Sequence, residues 1–167
     1  VERLVVIERA NPLDGVVSPS GHCLASLPKG ARVGSSSLRR QCQVRSVRPD
    51  LEVGPIRGNV DTRLEKLDGG EFDALILACS GLERLGLTDR ISEALPVEVM
   101  VPAIGQGAMG IECRQGDTPV EMAISNLNHV PSWLAVRAER AMNLSINGNC
   151  HAPIGAYATL HGRELRL

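Results

Sequence analysis

The sequence predicts an α/β protein with a largely parallel sheet. Apolar runs typical of strands alternate along the chain with helical patterns, as they do in βαβ units. The run at residues 74–79 is apolar throughout, which favours a strand buried on both faces. Two helices have clear start signals, Ser36 or Ser37 for one and Asn59 for the other, because these side chains accept backbone N–H bonds from a first turn.

Composition limits the classes of function. A hydrophobic fraction of 43% over 167 residues supports a folded core. Because the sequence begins at Val1 and ends in the middle of a pattern, we expect it to be part of a longer protein. An aromatic fraction of 2% and a net charge of −1 disfavour nucleic-acid binding. No apolar run approaches the roughly 20 residues of a membrane span, and no signal peptide is visible. The five cysteines include no C-x-x-C pair, so we expect a reducing, cytoplasmic location without disulfides.

Short strands and helices alternate in the first half of the chain. A helical turn is expected at 23–27, and the helix that starts near Ser37 stops at Pro49, which cannot continue it. The helix that begins at Asn59 has apolar residues at i, i+4 and i+7 and closes at 68–70. Strands are expected at residues 4–7, 14–17, 31–33 and 51–56.

The second half continues the pattern less regularly. A short helix follows the strand at 74–79 and stops at Gly86, and a further β run at 99–104 is interrupted by Pro102. Helices are expected at 119–127 and from Pro131 to 147–149, followed by a hairpin with arms at 157–160 and 164–167 that turns at His161-Gly162.

The stretch Gly-Ser-Ser-Ser-Leu-Arg-Arg-Gln at 34–41 places Arg39 and Arg40 in the first turn of a helix. The helix dipole disfavours cations at this end by roughly 0.3–1 kcal/mol each, so their placement indicates a bound anion. From this stretch alone, two solvated surface arginines explain the pattern equally well.

The next two strand-to-helix junctions also carry arginines, Arg57 and Arg63 at one and Arg84 at the other. The carboxyl ends of parallel strands meet at the same edge of a sheet, where open sheets bind ligands. Arginine at three successive junctions therefore favours a crevice for a polyanionic small ligand over solvated surface charge.

Two other features of the chain suggest chemistry. The pattern G-x-G-x-x-G at 105–110 matches the dinucleotide fingerprint, but we reject it because an extended pattern follows where a helix is required. Glycines on both sides of Gln106 indicate instead a close backbone approach or a hinge. Cys150, in an exposed-looking loop, is a candidate reactive thiol, with an unreactive cysteine as the alternative. Its neighbour His151 predicts no metal site, because adjacent residues chelate poorly and no second pair is present.

A series of motifs runs along essentially the whole chain. These motifs are Gly-Ser-Ser-Ser-Leu-Arg-Arg-Gln at 34–41, Arg-Gly-Asn-Val-Asp-Thr-Arg-Leu at 57–64, Gly-Leu-Glu-Arg-Leu-Gly at 81–86, Pro-Ala-Ile-Gly-Gln-Gly at 102–107, Glu-Arg-Ala-Met at 139–142 and Gly-Asn-Cys-His-Ala-Pro-Ile-Gly at 148–155. Together these motifs resemble the porphobilinogen deaminase (hydroxymethylbilane synthase) family, in which they occur in the same order, and no single motif would suffice.

The resemblance implies a transferase of tetrapyrrole (haem) biosynthesis. Such an enzyme joins four porphobilinogen units into hydroxymethylbilane and releases ammonia at each step. The resemblance also implies a dipyrromethane cofactor linked through a thioether to Cys150, where Asn149 replaces the glycine of many relatives. Small-molecule binding by a monomer, without nucleic-acid or membrane partners, is the expected mode of action.

The resemblance further implies a set of residues that bind the acetate and propionate groups of cofactor and substrate, because arginine grips carboxylates in a bidentate manner. The family's catalytic aspartate is expected N-terminal to Val1, so no catalytic residue is assigned in this chain, and neither Asp14 nor Asp61 takes that role. The predicted binding residues are Ser35, Ser37, Arg39, Arg40, Arg57, Asn59, Arg63, Arg84 and Gln106.

The family's domain organisation implies a periplasmic-binding-protein-like α/β domain with a mainly parallel sheet flanked by helices, plus the start of a small α+β C-terminal domain. We expect the chain alone to be inactive. The expected parts are residues 1–12 (end of domain 1 and hinge), 13–101 (domain 2), 102–126 (return hinge strand and a domain 1 helix) and 127–167 (start of the cofactor-attachment domain).

Two other classes compete with this interpretation. A non-enzymatic small-anion-binding module of periplasmic-receptor type explains the sheet and the arginines, but it does not explain the loop cysteine. A transferase acting on a phosphorylated metabolite explains the arginines, but it normally has a glycine-rich phosphate loop or metal ligands.

Overall fold

The computed structural model describes residues 3–149 and 152–167. Within these ranges the chain forms nine strands and five α-helices. The strands are β1 (Arg3–Val6), β2 (Asp14–Val17), β3 (Arg32–Gly34), β4 (Glu52–Gly54), β5 (Ala74–Ala78), β6 (Glu93–Leu95), β7 (Gly110–Cys113), β8 (Thr159–His161) and β9 (Glu164–Arg166). The helices are α1 (Leu38–Val47), α2 (Val60–Asp68), α3 (Cys79–Arg84), α4 (Thr118–Ser125) and α5 (Val130–Ser145).

A five-stranded sheet in the order β4-β3-β5-β2-β6 organises the larger part of the structure. Strands β4, β3 and β5 are parallel, whereas β2 runs antiparallel to both β5 and β6. Strand β6 therefore points the same way as β5, and four of the five strands share one direction. The predicted α/β class with a mainly parallel sheet is confirmed. The carboxyl ends of β3, β4 and β5 and the start of β2 meet at the same edge.

Apolar clusters cover both faces of this sheet, which explains why the strand at 74–78 has no polar residue. Ile76 faces one cluster with Val16 and Val44 of α1. Its neighbours Leu75 and Leu77 face the other cluster, which includes residues of α2 and α3. Because side chains alternate along a strand, a strand covered on both faces must be apolar at every position.

The two predicted helix starts are confirmed by their caps. Ser37, one of the two candidates, accepts from the backbone N–H of Arg40 at 3.4 Å, and Asn59 accepts from that of Thr62 at 2.9 Å. Each cap satisfies one of the N–H groups left free in a first helical turn. Helix α1 ends at Val47, close to where Pro49 predicts its end.

A smaller unit joins the first strand to the second half of the chain. β1 pairs antiparallel with β7, so residues 110–113 are extended. This confirms the extended pattern predicted after the glycines at 105–110, where a dinucleotide fingerprint would require a helix. Helices α4 and α5 pack against β1, and His129 at the start of α5 donates its backbone N–H to the carbonyl of Val6 at 2.8 Å. The predicted terminal hairpin is β8–β9, with its turn at residues 162–163.

The strand predicted at residues 99–104 is wrong. The segment starts as a turn on Pro96, and the backbone groups of Val101 bond to side chains instead of to a neighbouring strand. The carbonyl of Val101 accepts from Arg39 at 2.5 Å and from Gln43 at 3.1 Å, and its N–H donates to Gln43 at 2.8 Å. Helix α1 therefore satisfies the polar groups that a sheet partner would otherwise take. None of the helices in the described ranges is long and apolar enough to cross a membrane.

Candidate functional site

The sheet brings the three arginine-bearing junctions to one edge. β3 leads into α1 with Arg39 and Arg40, β4 precedes Arg57, and β5 precedes α3 with Arg84. Because these strands are adjacent and parallel, their carboxyl ends lie side by side. The predicted crevice therefore has its framework at this edge.

Asp14 also lies at this edge, because β2 runs antiparallel and starts where its neighbours β5 and β6 end. The side chain of Asp14 is fully buried and bonds to both arginines of α1. Its Oδ2 accepts from Nη1 of Arg39 at 2.6 Å, and its Oδ1 accepts from Nε of Arg40 at 2.8 Å. Gln106 adds a third donor, from Nε2 to Oδ1 at 3.0 Å. We call Asp14, Arg39, Arg40 and Gln106 the arginine array.

The array is largely removed from solvent. Arg39 is 4% exposed, and burial lowers the pKa of Arg40, against which the charge of Asp14 acts. Gln106 Oε1 accepts from Nη2 of Arg39 at 3.4 Å and from Nη2 of Arg40 at 3.3 Å. Among the described residues, the Nε of Arg39 is the buried side-chain polar atom that lacks a hydrogen-bond partner. A buried donor without a partner is costly, so an additional acceptor at this atom would be favourable.

The turn that carries Gln106 confirms the predicted close backbone approach. Gly107 has a φ of +80°, and a Cβ at this position would lie 2.6 Å from the carbonyl oxygen of Ala10. The N–H of Ala10 donates to the carbonyl of Gly107 at 3.0 Å, while Nε2 of Gln106 donates to the carbonyl of Pro12 at 2.6 Å. The glycine is needed because only a residue without Cβ fits this contact in this conformation.

A second buried ion pair, between Arg9 and Glu139, holds this turn from the other side. Glu139 on α5 is fully buried, and its carboxylate lies 2.6 Å from Arg9. The same carboxylate accepts from the backbone N–H groups of Gly105 at 2.7 Å and Ala158 at 2.8 Å. Sequence reasoning missed this pair. Glu139 falls on the buried face of α5 with Ser132, and this helical spacing was the available signal.

A cavity of about 660 Å³ opens beside the array. Ser37 and Arg39 line one part of it, and Arg140 of α5 lines another. Asn149 and Ala152, the described residues nearest to Cys150 along the chain, also line it. Cys150 and His151 themselves lie outside the described residues. The predicted attachment cysteine is therefore flanked by residues that share a cavity with the array.

The other predicted binding residues are either exposed at the sheet edge or use their side chains to bond to backbone groups. Arg57 and Arg84 are exposed, and Arg84 reaches the carbonyl of Gly107 at 3.5 Å. Arg63 donates to the carbonyl of Gly58 at 2.8 Å, and its charge contributes to lowering the pKa of Arg40.

The neutral residues of the predicted set bond to nearby backbone groups. Ser35 is buried within the turn before α1, and its Oγ accepts from the backbone N–H of Ser37 at 3.4 Å. Asn59 uses its side chain as the α2 cap.

Cys79, on which the charges of Asp14 and Arg40 act, is unsuited to nucleophilic chemistry. Burial, followed by the charges of Glu83 and Asp14, raises the pKa of the Cys79 thiol to about 11. A thiol with this pKa is protonated near neutral pH, and the thiolate is the reactive form.

Comparison with known proteins identifies the family. Residues 1–122 match the family model "Porphobilinogen deaminase, dipyromethane cofactor binding domain", and residues 133–167 match "Porphobilinogen deaminase, C-terminal domain". The chain belongs to the porphobilinogen deaminase family. The members of this family are transferases of tetrapyrrole biosynthesis with a dipyrromethane cofactor, and the match to both domains disfavours a simple anion-binding module.

The fold also resembles that of a solved lipoprotein. A putative methionine-binding lipoprotein from Bacillus subtilis superposes with a TM-score of 0.51 at 12% identity, over 93% of this chain and 69% of the lipoprotein chain. At this identity the likeness concerns the fold alone. It supports the predicted periplasmic-binding-protein-like architecture.

The residues of the site fit a group that carries carboxylates. Two guanidinium groups and one carboxylate leave the array with one net positive charge, and the unpartnered Nε of Arg39 belongs to it. Guanidinium donors match the acetate and propionate groups of a dipyrromethane in both charge and geometry.

Proposed function

We propose that this protein is a porphobilinogen deaminase (hydroxymethylbilane synthase) that condenses four porphobilinogen units stepwise into hydroxymethylbilane, with ammonia released at each step, in haem biosynthesis. The observation that carries the proposal is the buried arginine array, which shares a cavity with the residues flanking Cys150.

The proposed ligand-binding set follows from charge and position. Arg39, Arg40, Arg57, Arg63 and Arg84 would bind carboxylates of cofactor and substrate, and Ser35, Ser37, Asn59 and Gln106 would add neutral hydrogen bonds. Cys150 would carry the cofactor through a thioether. When bound, the dipyrromethane supplies the covalent primer for chain growth.

The residues of this chain bind and orient, and none is assigned to proton transfer. Burial of Arg39 strengthens its attraction for a carboxylate, because water screens charges weakly there. Both carboxylate oxygens of Asp14 already accept from guanidinium groups, so Asp14 does not offer a free oxygen for chemistry. We therefore expect no bilane formation by this 167-residue chain alone.

The proposed domain organisation keeps the divisions expected from the resemblance: 1–12, 13–101, 102–126 and 127–167. The pairing of β1 with β7 supports it, because the chain leaves this pair after β1, forms the five-stranded sheet and then returns. Monomeric state and cytoplasmic location stay predictions.

Covalent attachment gives the most direct test. Intact-mass spectrometry of the protein purified from cells at its native length should show an added dipyrromethane. Cys150→Ser should remove this added mass, whereas the control Cys42→Ser, at an exposed cysteine of α1, should retain it. An active protein with unmodified mass would refute the proposal.

A further inference from the structure

Asp14 carries a fully buried acidic group at the candidate site, and the binding set above gives it no task. It is fully buried, it is the first residue of β2, and it pairs in register with Ala78 on one side and Leu95 on the other. A residue held between two strands has little freedom to move. The carboxylate of Asp14 therefore has a fixed position, to which the longer side chains around it bond.

Three donors converge on this carboxylate from two separate segments. Arg39 and Arg40 come from the first turn of α1, and Gln106 comes from the turn of the returning chain. Two like charges on adjacent residues repel each other, and the Asp14 carboxylate offsets this repulsion by bonding to both. Without Asp14, the two guanidinium groups would share no negatively charged hydrogen-bond acceptor among these contacts.

The second buried ion pair shows how a purely structural carboxylate differs. Glu139 meets one arginine, Arg9, so that pair is neutral, and the remaining bonds of Glu139 go to backbone N–H groups. Asp14 meets two arginines, so its group keeps one positive charge, and one of these arginines retains a buried Nε without a partner. Of these two groups, the Asp14 group is the one with an excess positive charge and an unpartnered donor for a ligand.

We propose that Asp14 is a positioning residue for carboxylate binding: it holds Arg39, Arg40 and Gln106 in one array with a single net positive charge, which one ligand carboxylate completes. The inference rests on the proposed function for the identity of that ligand. It assigns to Asp14 the orientation of the arginines and assigns it no step in the reaction.

Acetate distinguishes this role from a general effect on folding. In the wild-type chain, acetate should compete with porphobilinogen for the open place in the array and weaken its binding. In Asp14→Ala, acetate should first replace the missing carboxylate and strengthen binding. A change that only loosened the fold would leave the sign of the acetate effect the same in both proteins.

The experiment measures porphobilinogen binding by isothermal titration calorimetry with increasing acetate, at constant ionic strength, for the wild type and for Asp14→Ala. Circular dichroism verifies that each variant is folded. Without acetate, Asp14→Ala should bind at least about tenfold more weakly, since it loses charge-assisted hydrogen bonds. Asp73→Asn is the matched control, because its ion pair with Arg32 lies half-exposed at the other end of the sheet, and it should bind like the wild type.

Equal affinities of Asp14→Ala and wild type would overturn the inference, as would acetate weakening both. If Asp14→Ala does not fold, the isosteric Asp14→Asn replaces it. This variant should also bind at least about tenfold more weakly, and wild-type affinity would overturn the inference.

A second measurement separates the inference from the proposed function. If the wild type does not bind porphobilinogen, the proposed function fails, and acetate alone still tests the array through the Nε–H nuclear magnetic resonance signal of Arg39. This signal should report one acetate site in the wild type and two in Asp14→Ala. The same number of sites in both proteins would overturn the inference.

Discussion

Glu139→Gln tests the ion pair between Arg9 and Glu139. The Glu139 carboxylate on α5 also holds the turn at Gly105 and the C-terminal segment at Ala158. The Glu139 carboxylate is fully buried and accepts four hydrogen bonds. Oε1 takes Nη1 of Arg9 and the N–H of Ala158, while Oε2 takes Nη2 of Arg9 and the N–H of Gly105. A glutamine places an NH₂ group at one of these oxygens, so in either orientation two donors would face a donor.

The expected cost follows from this arrangement. Removal of one partner from a buried ion pair costs about 3–5 kcal/mol, because the remaining charge stays buried without compensation. A domain of ordinary stability has roughly 5–15 kcal/mol in total, so the variant should lose a large part of it.

Urea unfolding at neutral pH, followed by circular dichroism, measures this loss as a lower midpoint. The control Glu164→Gln removes a carboxylate of the same type from an exposed pair with Arg166 and should leave the midpoint unchanged. A loss below about 1 kcal/mol for Glu139→Gln would show that the pair is not held as the structure places it.

Three further outcomes are expected. Gly107→Ala should destabilise the protein more than Gly116→Ala in thermal unfolding, because both glycines have positive φ but only the added Cβ at 107 meets backbone atoms; equal losses would contradict the predicted close approach. Cys79 should resist iodoacetamide at pH 8 while the exposed Cys42 is alkylated, as peptide mass spectrometry would show, since the pKa of Cys79 is raised to about 11; rapid labelling of Cys79 in the folded protein would refute this. Hydrogen bonds from the backbone and side chain of Arg32 lower the pKa of Asp73 below the ordinary value of an aspartate. The contribution of Asp73 to stability is therefore present above that ordinary pKa and is lost as the pH falls through the lower folded pKa. The free energy of unfolding should therefore fall less steeply with decreasing acidic pH for Asp73→Asn than for the wild type. Identical slopes would count against the interaction between Asp73 and Arg32.

Local patterns accounted for most of the elements that position the site. The apolar run ending at Ala78, the cap at Asn59 and the glycines around Gln106 each imply a structure through short-range rules. An all-apolar strand must be covered on both faces, a side-chain cap must precede a helix, and a glycine in the left-handed region permits close backbone contact.

Long-range partners explain the failures. Residues 99–104 are apolar enough for a strand, but Arg39 and Gln43 bond to Val101 and take the place of a sheet neighbour. Strand β6, at Glu93–Leu95, was not predicted, because it gains its pairing from β2 and carries little apolar pattern of its own.

By itself, the sequence determined the fold class, the family and the arginines at three strand ends. These features depend on residue types at short spacings along the chain. Only the tertiary structure decided that Asp14 would hold two of those arginines and that Glu139 would hold Arg9. Each carboxylate lies 25 or more residues along the chain from the arginines that it holds. A carboxylate reveals its partner only when the antiparallel course of β2, or the packing of α5, brings the opposite charge within reach.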